Sequence, residues 1–180
     1  TIDTDREKRT GLPEVIYASG KTPDQVSQIA ERMYKNEINV LATRVTPEMY
    51  DEVKKVLPDA EYNPLARTIT IIQKEDDIPE GYIAVVAAGT SDLPVAEEAV
   101  VTATFLGNKV EKIYDVGVAG IHRLFNRIEL IKNAKVIIVV AGMEGALGSV
   151  VSGLVDKPVI GVPTSIGYGA NFQGLSALLA

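Results

Sequence analysis

Four turns rich in glycine and polar residues hold the side chains of this sequence that could bind or transform a ligand. Each follows a short apolar run, and they cover residues 89–92, 117–123, 141–146 and 163–169. Backbone N–H groups at a turn that leads into a helix favour an anionic ligand, and glycine lets that ligand approach closely. Because an ordinary turn between a strand and a helix needs the same residue types, the prediction of a site depends on the four turns meeting at one place.

The first of these turns offers both a binding group and a carboxylate. The hydroxyl of Ser91 and the N–H groups around it could hold an anionic part of a substrate, because the positive end of a helix dipole would lie there. Asp92 could orient a neighbouring group or receive a proton, and either Ser91 or Asp92 could cap the following helix. The sequence therefore predicts an anion-binding turn here.

Four further side chains are candidates because of their positions. His122 and Arg123 stand at the predicted start of a helix, where positive charges oppose the dipole, so an anionic ligand would remove an electrostatic cost. A neutral His122 bonded to a carbonyl group would also explain its position. Glu144 lies between a strand and a helix, as either a functional group or a simple first-turn carboxylate. Arg44 follows another strand and could clamp a phosphate, although most such arginines pair at a surface. The residues expected to contact a substrate are Gly89, Thr90, Ser91, Asp92, Arg123, Gly142, Met143, Gly145, Ser165, Gly167, Tyr168, Gly169 and Arg44.

The composition excludes several classes of function. The chain has 180 residues, 46% of them hydrophobic, which is enough to bury a full core. No apolar run approaches the roughly 20 residues of a membrane span, and no signal peptide is recognisable. A net charge of −6 argues against a nucleic-acid partner. No cysteine and a single histidine argue against a zinc site and are typical of a cytoplasmic protein. We expect no tightly bound cofactor; Mg²⁺ would offset the charge of a pyrophosphate, but no dense carboxylate cluster marks a site for it.

The first half of the chain predicts a small N-terminal α/β unit, residues 1–78. Residues 1–10 are charged and without period, which favours an extended arm or loop. Two helices are predicted after the caps Thr22 and Thr46, each with proline in its first turn. Predicted strands cover residues 13–17, 39–43, 60–63 and 67–72. The acidic segment 74–81, interrupted by proline and glycine, is the best boundary.

Residues 79–180 repeat a pattern of strand, turn and helix. Predicted strands cover residues 83–88, 112–118, 136–140 and 159–162, and predicted helices cover about 93–106, 121–132 and 145–155. This alternation indicates an α/β fold, a three-layer parallel sheet of the Rossmann or flavodoxin type. In such sheets the ligand binds beyond the carboxyl ends of the strands, where the winding reverses. The four turns are therefore predicted to converge at that edge.

Four ordered segments carry a resemblance to a known family. They are RTGLPEVIYASGKTPDQV, VAAGTSDLPVAEEA, DVGVAGIHRL and VVAGMEGALGSVVSGLVDKPVIGVPTSIGYGANFQG. Together they resemble the LarB family of nickel-pincer cofactor biosynthesis over nearly the whole chain. The second half is also similar, more distantly, to aminoimidazole ribonucleotide carboxylase of purine synthesis. The Ser-Asp and Ala-His-Arg turns of that enzyme correspond to residues 91–92 and 119–123. The resemblance thus implies an aminoimidazole ribonucleotide carboxylase-like fold for the second half.

The LarB resemblance implies a synthase that adds CO₂ to the pyridinium ring of nicotinic acid adenine dinucleotide, or an NAD-like analogue. It would also hydrolyse the phosphoanhydride, releasing AMP and pyridinium-3,5-biscarboxylate mononucleotide, in the first step of nickel-pincer cofactor synthesis for lactate racemase. A pyridinium ring is electron-poor, so a thiolate must add to it before it can attack CO₂. In the family a cysteine does this, just beyond a segment like residues 167–180, and we expect the chain to continue past both of its present ends.

By analogy with the matching turn of the purine carboxylase, His122 and Arg123 would neutralise CO₂ or the ring carboxylate. Glu144 is the candidate for removing the ring proton after carboxylation. A homo-oligomer is also implied, an octamer being one size. Two other functions remain open at this point: a purine-type aminoimidazole ribonucleotide carboxylase and a non-catalytic nucleotide-binding module.

Overall fold

The computed structural model describes Asp3 and residues 6–74 and 77–180, and the chain divides into two compact units, Thr1–Asp76 and Asp77–Ala180. The first unit contains α1 (Arg6–Thr10), β1 (Ile16–Tyr17), α2 (Pro23–Lys35), β2 (Val40–Thr43), α3 (Pro47–Val56), β3 (Glu61–Asn63) and β4 (Thr68–Ile71). The second contains β5 (Ile83–Ala87), α4 (Leu93–Phe105), β6 (Val110–Ile113), α5 (Ile121–Phe125), α6 (Ile128–Lys132), β7 (Val136–Ala141), α7 (Ala146–Ser152), β8 (Val159–Pro163) and α8 (Leu175–Leu178). Short 3₁₀ segments lie at Thr90–Asp92, Val118–Gly120 and Gly169–Gly174.

The first unit is a mixed sheet with two helices on it. Its strand order is β1-β2-β4-β3, with β1 parallel to β2 and β4 antiparallel to both of its neighbours. The predicted cap of α2 is confirmed: Thr22 Oγ1 accepts from Gln25 N at 3.2 Å, and Gln25 Oε1 accepts from Thr22 N at 3.0 Å. The predicted arm at residues 1–10 is wrong over Arg6–Thr10, which forms α1; Thr1, Ile2, Thr4 and Asp5 lie outside the described residues.

The second unit is a parallel sheet in the order β6-β5-β7-β8, and β5 pairs with β7 in parallel. Alternate residues of β5 pack into two different hydrophobic clusters. Ala84 and Val86 pack with α5, α6 and α7, whereas Val85 and Ala87 pack with α4. Helices therefore cover both faces of an apolar central strand, as buried parallel strands require. The predicted α/β class, a three-layer parallel sheet with a small N-terminal α/β unit, is confirmed.

Several predicted boundaries in this unit are wrong. The strand predicted over residues 112–118 is Val110–Ile113, because Asp115 takes a left-handed backbone with φ 59° and the chain leaves the sheet there. The single helix predicted over 121–132 is two, α5 and α6, since Arg127 has non-helical backbone angles. The helix predicted over 145–155 is only Ala146–Ser152. Apolar periodicity continues through all three breaks, so it could not reveal them.

A buried carboxylate joins α4 to the sheet. Glu97, 6% exposed, accepts hydrogen bonds from Lys112 Nζ to both oxygens at 2.9 Å and from Tyr114 Oη at 2.8 Å. Burial raises the pKa of Tyr114 above its ordinary value, and the hydrogen bond to Glu97 raises it further. The contact fixes the helix that begins beside the carboxyl end of β5.

None of the helices in the described part of the chain has the length and apolar character that a membrane span requires.

Candidate functional site

A cavity of about 660 Å³ opens at the carboxyl edge of the parallel sheet. The chain turns from β5 to β6 on one side of the sheet and from β7 to β8 on the other, so the loops after β5 and β7 separate and leave a crevice. Segments that follow all four strands line it. Ten of the predicted site residues are among the lining residues: Gly89, Thr90, Ser91, Asp92, Arg123, Gly142, Met143, Glu144, Gly167 and Tyr168.

The other predicted residues lie elsewhere. His122 is exposed on α5, and Ser165 and Gly169 are exposed beside the cavity loop; none of the three lines the cavity. Gly145 lines a separate groove between α7, β8 and α8. Arg44 belongs to the first unit, where it is exposed at the end of β2 with φ 59°. The prediction that Arg44 clamps a phosphate stays a prediction.

The turn after β5 is organised by the carboxylate of Asp92. This side chain is 4% exposed; Oδ2 accepts from Gly89 N at 3.1 Å and Oδ1 accepts from Thr164 Oγ1 at 2.7 Å. Asp92 stands at the N-cap position of α4 but makes no side-chain hydrogen bond to the helix, so of the two predicted caps, Ser91 and Asp92, the alternative with Asp92 is wrong. Its two oxygens instead join the turn after β5 to the loop after β8, and Thr90 and Ser91 keep their N–H groups at the beginning of the helical segment.

The loops after β7 and β8 approach each other closely. Met143 has φ 55°, and its N–H donates to the carbonyl oxygen of Ile166 at 2.7 Å. A Cβ at Gly142 would overlap that carbonyl oxygen and lie 2.6 Å from Thr164 Oγ1. The close packing of the two loops therefore requires glycine at position 142. This packing explains the glycine without any contact between Gly142 and a ligand.

Sequence reasoning missed three residues of this site. Thr164 and Asn171 are 5% and 6% exposed, and both bond to cavity loops; Asp115 lines the cavity. Thr164 and Asn171 lie in the last of the segments quoted above, but nothing in that segment identifies their distant partners, the carboxylate of Asp92 for Thr164 and the carbonyl oxygen of Met143 for Asn171. The signal that could have found Asp115 is its position in the turn after β6, at the same edge as the other turns.

Carboxylates outnumber cations among the described residues that line the cavity. Asp92, Asp115 and Glu144 are acidic, and Arg123 is the only basic one. Arg123 Nη1 already pairs with Asp115 Oδ2 at 2.8 Å, and both side chains are largely exposed. An anion that contacts Arg123 would therefore share the guanidinium with the carboxylate of Asp115. The local charge favours a ligand that brings positive charge to the cavity.

The carboxylate of Glu144 has no structural partner among the described residues. It is exposed, it lines the cavity, and within the described residues it makes no hydrogen bond or ion pair. An exposed carboxylate beside a cavity can accept a proton from a bound substrate that comes within hydrogen-bond distance. Across Asp3 and residues 6–74 and 77–180, no group of three or more His, Cys, Asp or Glu is arranged to hold a metal ion.

A second cavity of about 660 Å³ lies in the first unit, between β1 and α2. Its lining includes Lys21 and Arg32 beside aliphatic side chains, and none of the predicted site residues. It lies along β1 and α2 and not at a crevice between strands where the winding of a parallel sheet reverses, so the sheet geometry gives no reason to expect the principal site there.

Comparisons with known proteins cover both units. Residues 1–74 match the family described as LarB/PurE-like N-terminal domain, and residues 82–180 match the family described as AIR carboxylase. An uncharacterized protein of Methanocaldococcus jannaschii is 41% identical over an alignment of 186 positions, which spans 99% of this chain and 73% of that relative.

Proposed function

Because this chain belongs to the LarB-like family with an AIR carboxylase region in its second half, we propose that it carboxylates the pyridinium ring of nicotinic acid adenine dinucleotide. The family supports a carboxylase-type function with a nucleotide and CO₂ as substrates. The finer proposal includes hydrolysis of the phosphoanhydride, which yields AMP and pyridinium-3,5-biscarboxylate mononucleotide. This would be the first step of nickel-pincer cofactor synthesis for lactate racemase, and we also propose a homo-oligomer.

The acidic lining of the cavity is the observation that carries this choice of substrate. Three carboxylates and one already paired arginine line it among the described residues. Two opposite unit charges about 4 Å apart attract each other by about 1 kcal/mol in water and by about 4 kcal/mol near a protein surface. The pyridinium nitrogen carries the positive charge that such a cavity favours, whereas the ring of aminoimidazole ribonucleotide is neutral. This preference concerns the ring alone, because the dinucleotide also brings a ring carboxylate and two phosphates, for which the turn after β5 offers N–H groups.

The anionic part of the dinucleotide would bind at the turn after β5. The N–H groups of Thr90 and Ser91 begin the helical segment that continues into α4, and both residues line the cavity. Helix N–H groups without an intrahelical acceptor favour phosphate oxygens. Asp92 would orient this turn, because both of its oxygens already accept hydrogen bonds from protein donors.

Glu144 would act at the ring carbon. A nucleophile adds to the pyridinium ring and turns it into an enamine; its carbon forms a bond to CO₂, and that carbon then holds both a hydrogen and the new carboxylate. Glu144 takes the proton, the C–H electron pair returns to the ring, and the nucleophile leaves. The 180 residues contain no cysteine, so a thiolate nucleophile would come from outside them. Arg123 would neutralise the new carboxylate, and His122 lies outside the cavity lining.

Binding measurements distinguish the three functions. We expect calorimetry to give tighter binding of nicotinic acid adenine dinucleotide than of aminoimidazole ribonucleotide. The reverse preference would support the purine-type carboxylase. Binding of the dinucleotide without turnover by the whole gene product would support a non-catalytic nucleotide-binding module.

The role of Glu144 has its own test in the whole gene product. Glu144→Gln should leave dinucleotide binding within about tenfold and lower turnover roughly 10²-fold or more, the usual size of a lost general base. Glu129→Gln is the matched control, because the Glu129 side chain is 79% exposed on α6 and does not line the cavity. Turnover of Glu144→Gln near that of the control would leave Glu144 as a simple first-turn carboxylate.

A further inference from the structure

The loops around the cavity are joined by buried polar side chains. Asp92, Thr164 and Asn171 are 4%, 5% and 6% exposed, and they are three of the four buried polar side chains in the described part of the second unit. Buried polar groups are costly unless they are hydrogen-bonded, and these three bond mainly to one another and to loop backbone. Buried polar groups are thus concentrated beside the cavity rather than spread through the core.

Asn171 uses both amide N–H groups and its carbonyl oxygen on loop backbone. Its Nδ2 donates to the carbonyl oxygens of Met143 at 2.8 Å and Ile166 at 3.3 Å, and its Oδ1 accepts from Gly174 N at 3.0 Å. The partners define the amide orientation, because two are acceptors and one is a donor. One side chain therefore ties the loop after β7 to two points of the segment after β8.

The bond to Met143 has a consequence for the next residue. The N–H of Met143 donates to Ile166 and its carbonyl accepts from Asn171, so both of its backbone polar groups are held while φ is 55°. The peptide plane between Met143 and Glu144 is fixed by that carbonyl. Asn171 thus helps to hold the backbone from which the Glu144 side chain leaves the loop, together with the hydrogen bond from Gly145 N to the carbonyl oxygen of Gly142 at 3.0 Å.

We infer that Asn171 is a positioning residue for Glu144 in the proton transfer described above. The inference rests on the proposed function. Asn171 does not line the cavity, so it acts through the loop and not by contact with substrate. Asn171→Asp has nearly the same shape, but it places a carboxylate oxygen where the amide donates to the carbonyls of Met143 and Ile166. Both donated hydrogen bonds are lost and become repulsive.

Asn171→Asp should lower kcat of the whole gene product by about 10- to 100-fold, the scale of a catalytic group that is slightly displaced, while KM changes by less than about threefold. The acid limb of the pH profile should also move to higher pH, because a new carboxylate close to Glu144 makes that group harder to ionise. Gln173→Glu is the matched control, since Gln173 is exposed and its side chain makes no hydrogen bond within the described residues. It should leave kcat within about twofold.

A double-mutant cycle separates positioning from general support. In a Glu144→Gln background, Asn171→Asp should reduce kcat by no more than about twofold, because the group that it positions is gone. A loss in that background as large as in the wild type would overturn the inference. The proposed function fails separately, through absent dinucleotide binding by the wild type or normal turnover of Glu144→Gln.

Hydrogen exchange gives a readout that does not depend on activity. The Met143 amide should lose at least about tenfold of its protection in Asn171→Asp, whereas the Val139 amide in β7 should not change. If Asn171→Asp does not fold, Asn171→Ser, whose hydroxyl can donate to only one carbonyl, should give the same pattern with a smaller loss. Unchanged protection of Met143 in a folded variant would overturn the inference.

Discussion

Gly142 tests whether the cavity loops are as closely packed as their contacts indicate. A Cβ at this position would overlap the carbonyl oxygen of Ile166 and come within 2.6 Å of Thr164 Oγ1 and 2.9 Å of Ile166 Cβ. Two of these three atoms cannot move without disturbing others, because Ile166 O accepts from Met143 N and Thr164 Oγ1 donates to Asp92. Gly142→Ala should therefore displace the loop after β8.

The size of the effect is the difference between two terms. Overpacking costs about 1–3 kcal/mol, and replacing glycine by alanine returns about 0.4–1 kcal/mol by restricting the unfolded chain. The expected net loss for Gly142→Ala is about 1–2 kcal/mol. Gly148→Ala is the matched control in the same unit, because an added Cβ there meets nothing within 4 Å and the residue lies inside α7. It should stabilise the protein by roughly 0.5–1 kcal/mol.

Urea unfolding of the wild type and both variants measures these changes from the midpoint and the slope m. The two variants should differ by about 1.5–3 kcal/mol, and a chain of this size shifts its melting temperature by about 2–4 °C for each kcal/mol. If Gly142→Ala has the same free energy of unfolding as Gly148→Ala and the slope m is unchanged, the loop after β8 moves aside at little cost. That result would refute the packing argument.

Two predictions concern the buried contact between α4 and β6. Glu97→Ala should destabilise the protein by about 1–3 kcal/mol because Lys112 and Tyr114 lose a charged partner, whereas the exposed control Glu129→Ala should stay within about 0.5 kcal/mol by urea unfolding. Because burial raises the pKa of Tyr114 above about 10, its folded state keeps the phenol proton that the unfolded state loses. The contribution of the Tyr114 phenol to the free energy of unfolding is complete below about pH 10 and declines above it. The difference in stability between wild type and Tyr114→Phe should therefore shrink from about pH 9 to about pH 11. A difference that stays constant over this range would contradict the raised pKa of Tyr114.

Local signals in the sequence predicted the elements well where cause and effect lie close together. The capping box of Thr22 and Gln25 and the apolar run of β5 each depend on residues within a few positions. The breaks at Asp115 and Arg127 were not predictable in this way, because apolar spacing continues across them. The site followed the same rule: the four turns were predictable, but the bonds of Thr164 to Asp92 and of Asn171 to Met143 were not.

The sequence alone determined the α/β class and the edge of the sheet where glycine-rich turns would collect, because strand burial and helix starts are encoded by neighbouring residues. Tertiary structure decided which of those residues face the cavity. It turned Asp92 from the predicted cap into a bridge to Thr164, paired Arg123 with Asp115, and left His122 outside the lining. The bridge from Asp92 to Thr164 joins residues 72 positions apart, and the pair of Arg123 and Asp115 forms across the break that follows β6. Only the packing of the segments brings such groups within hydrogen-bond distance.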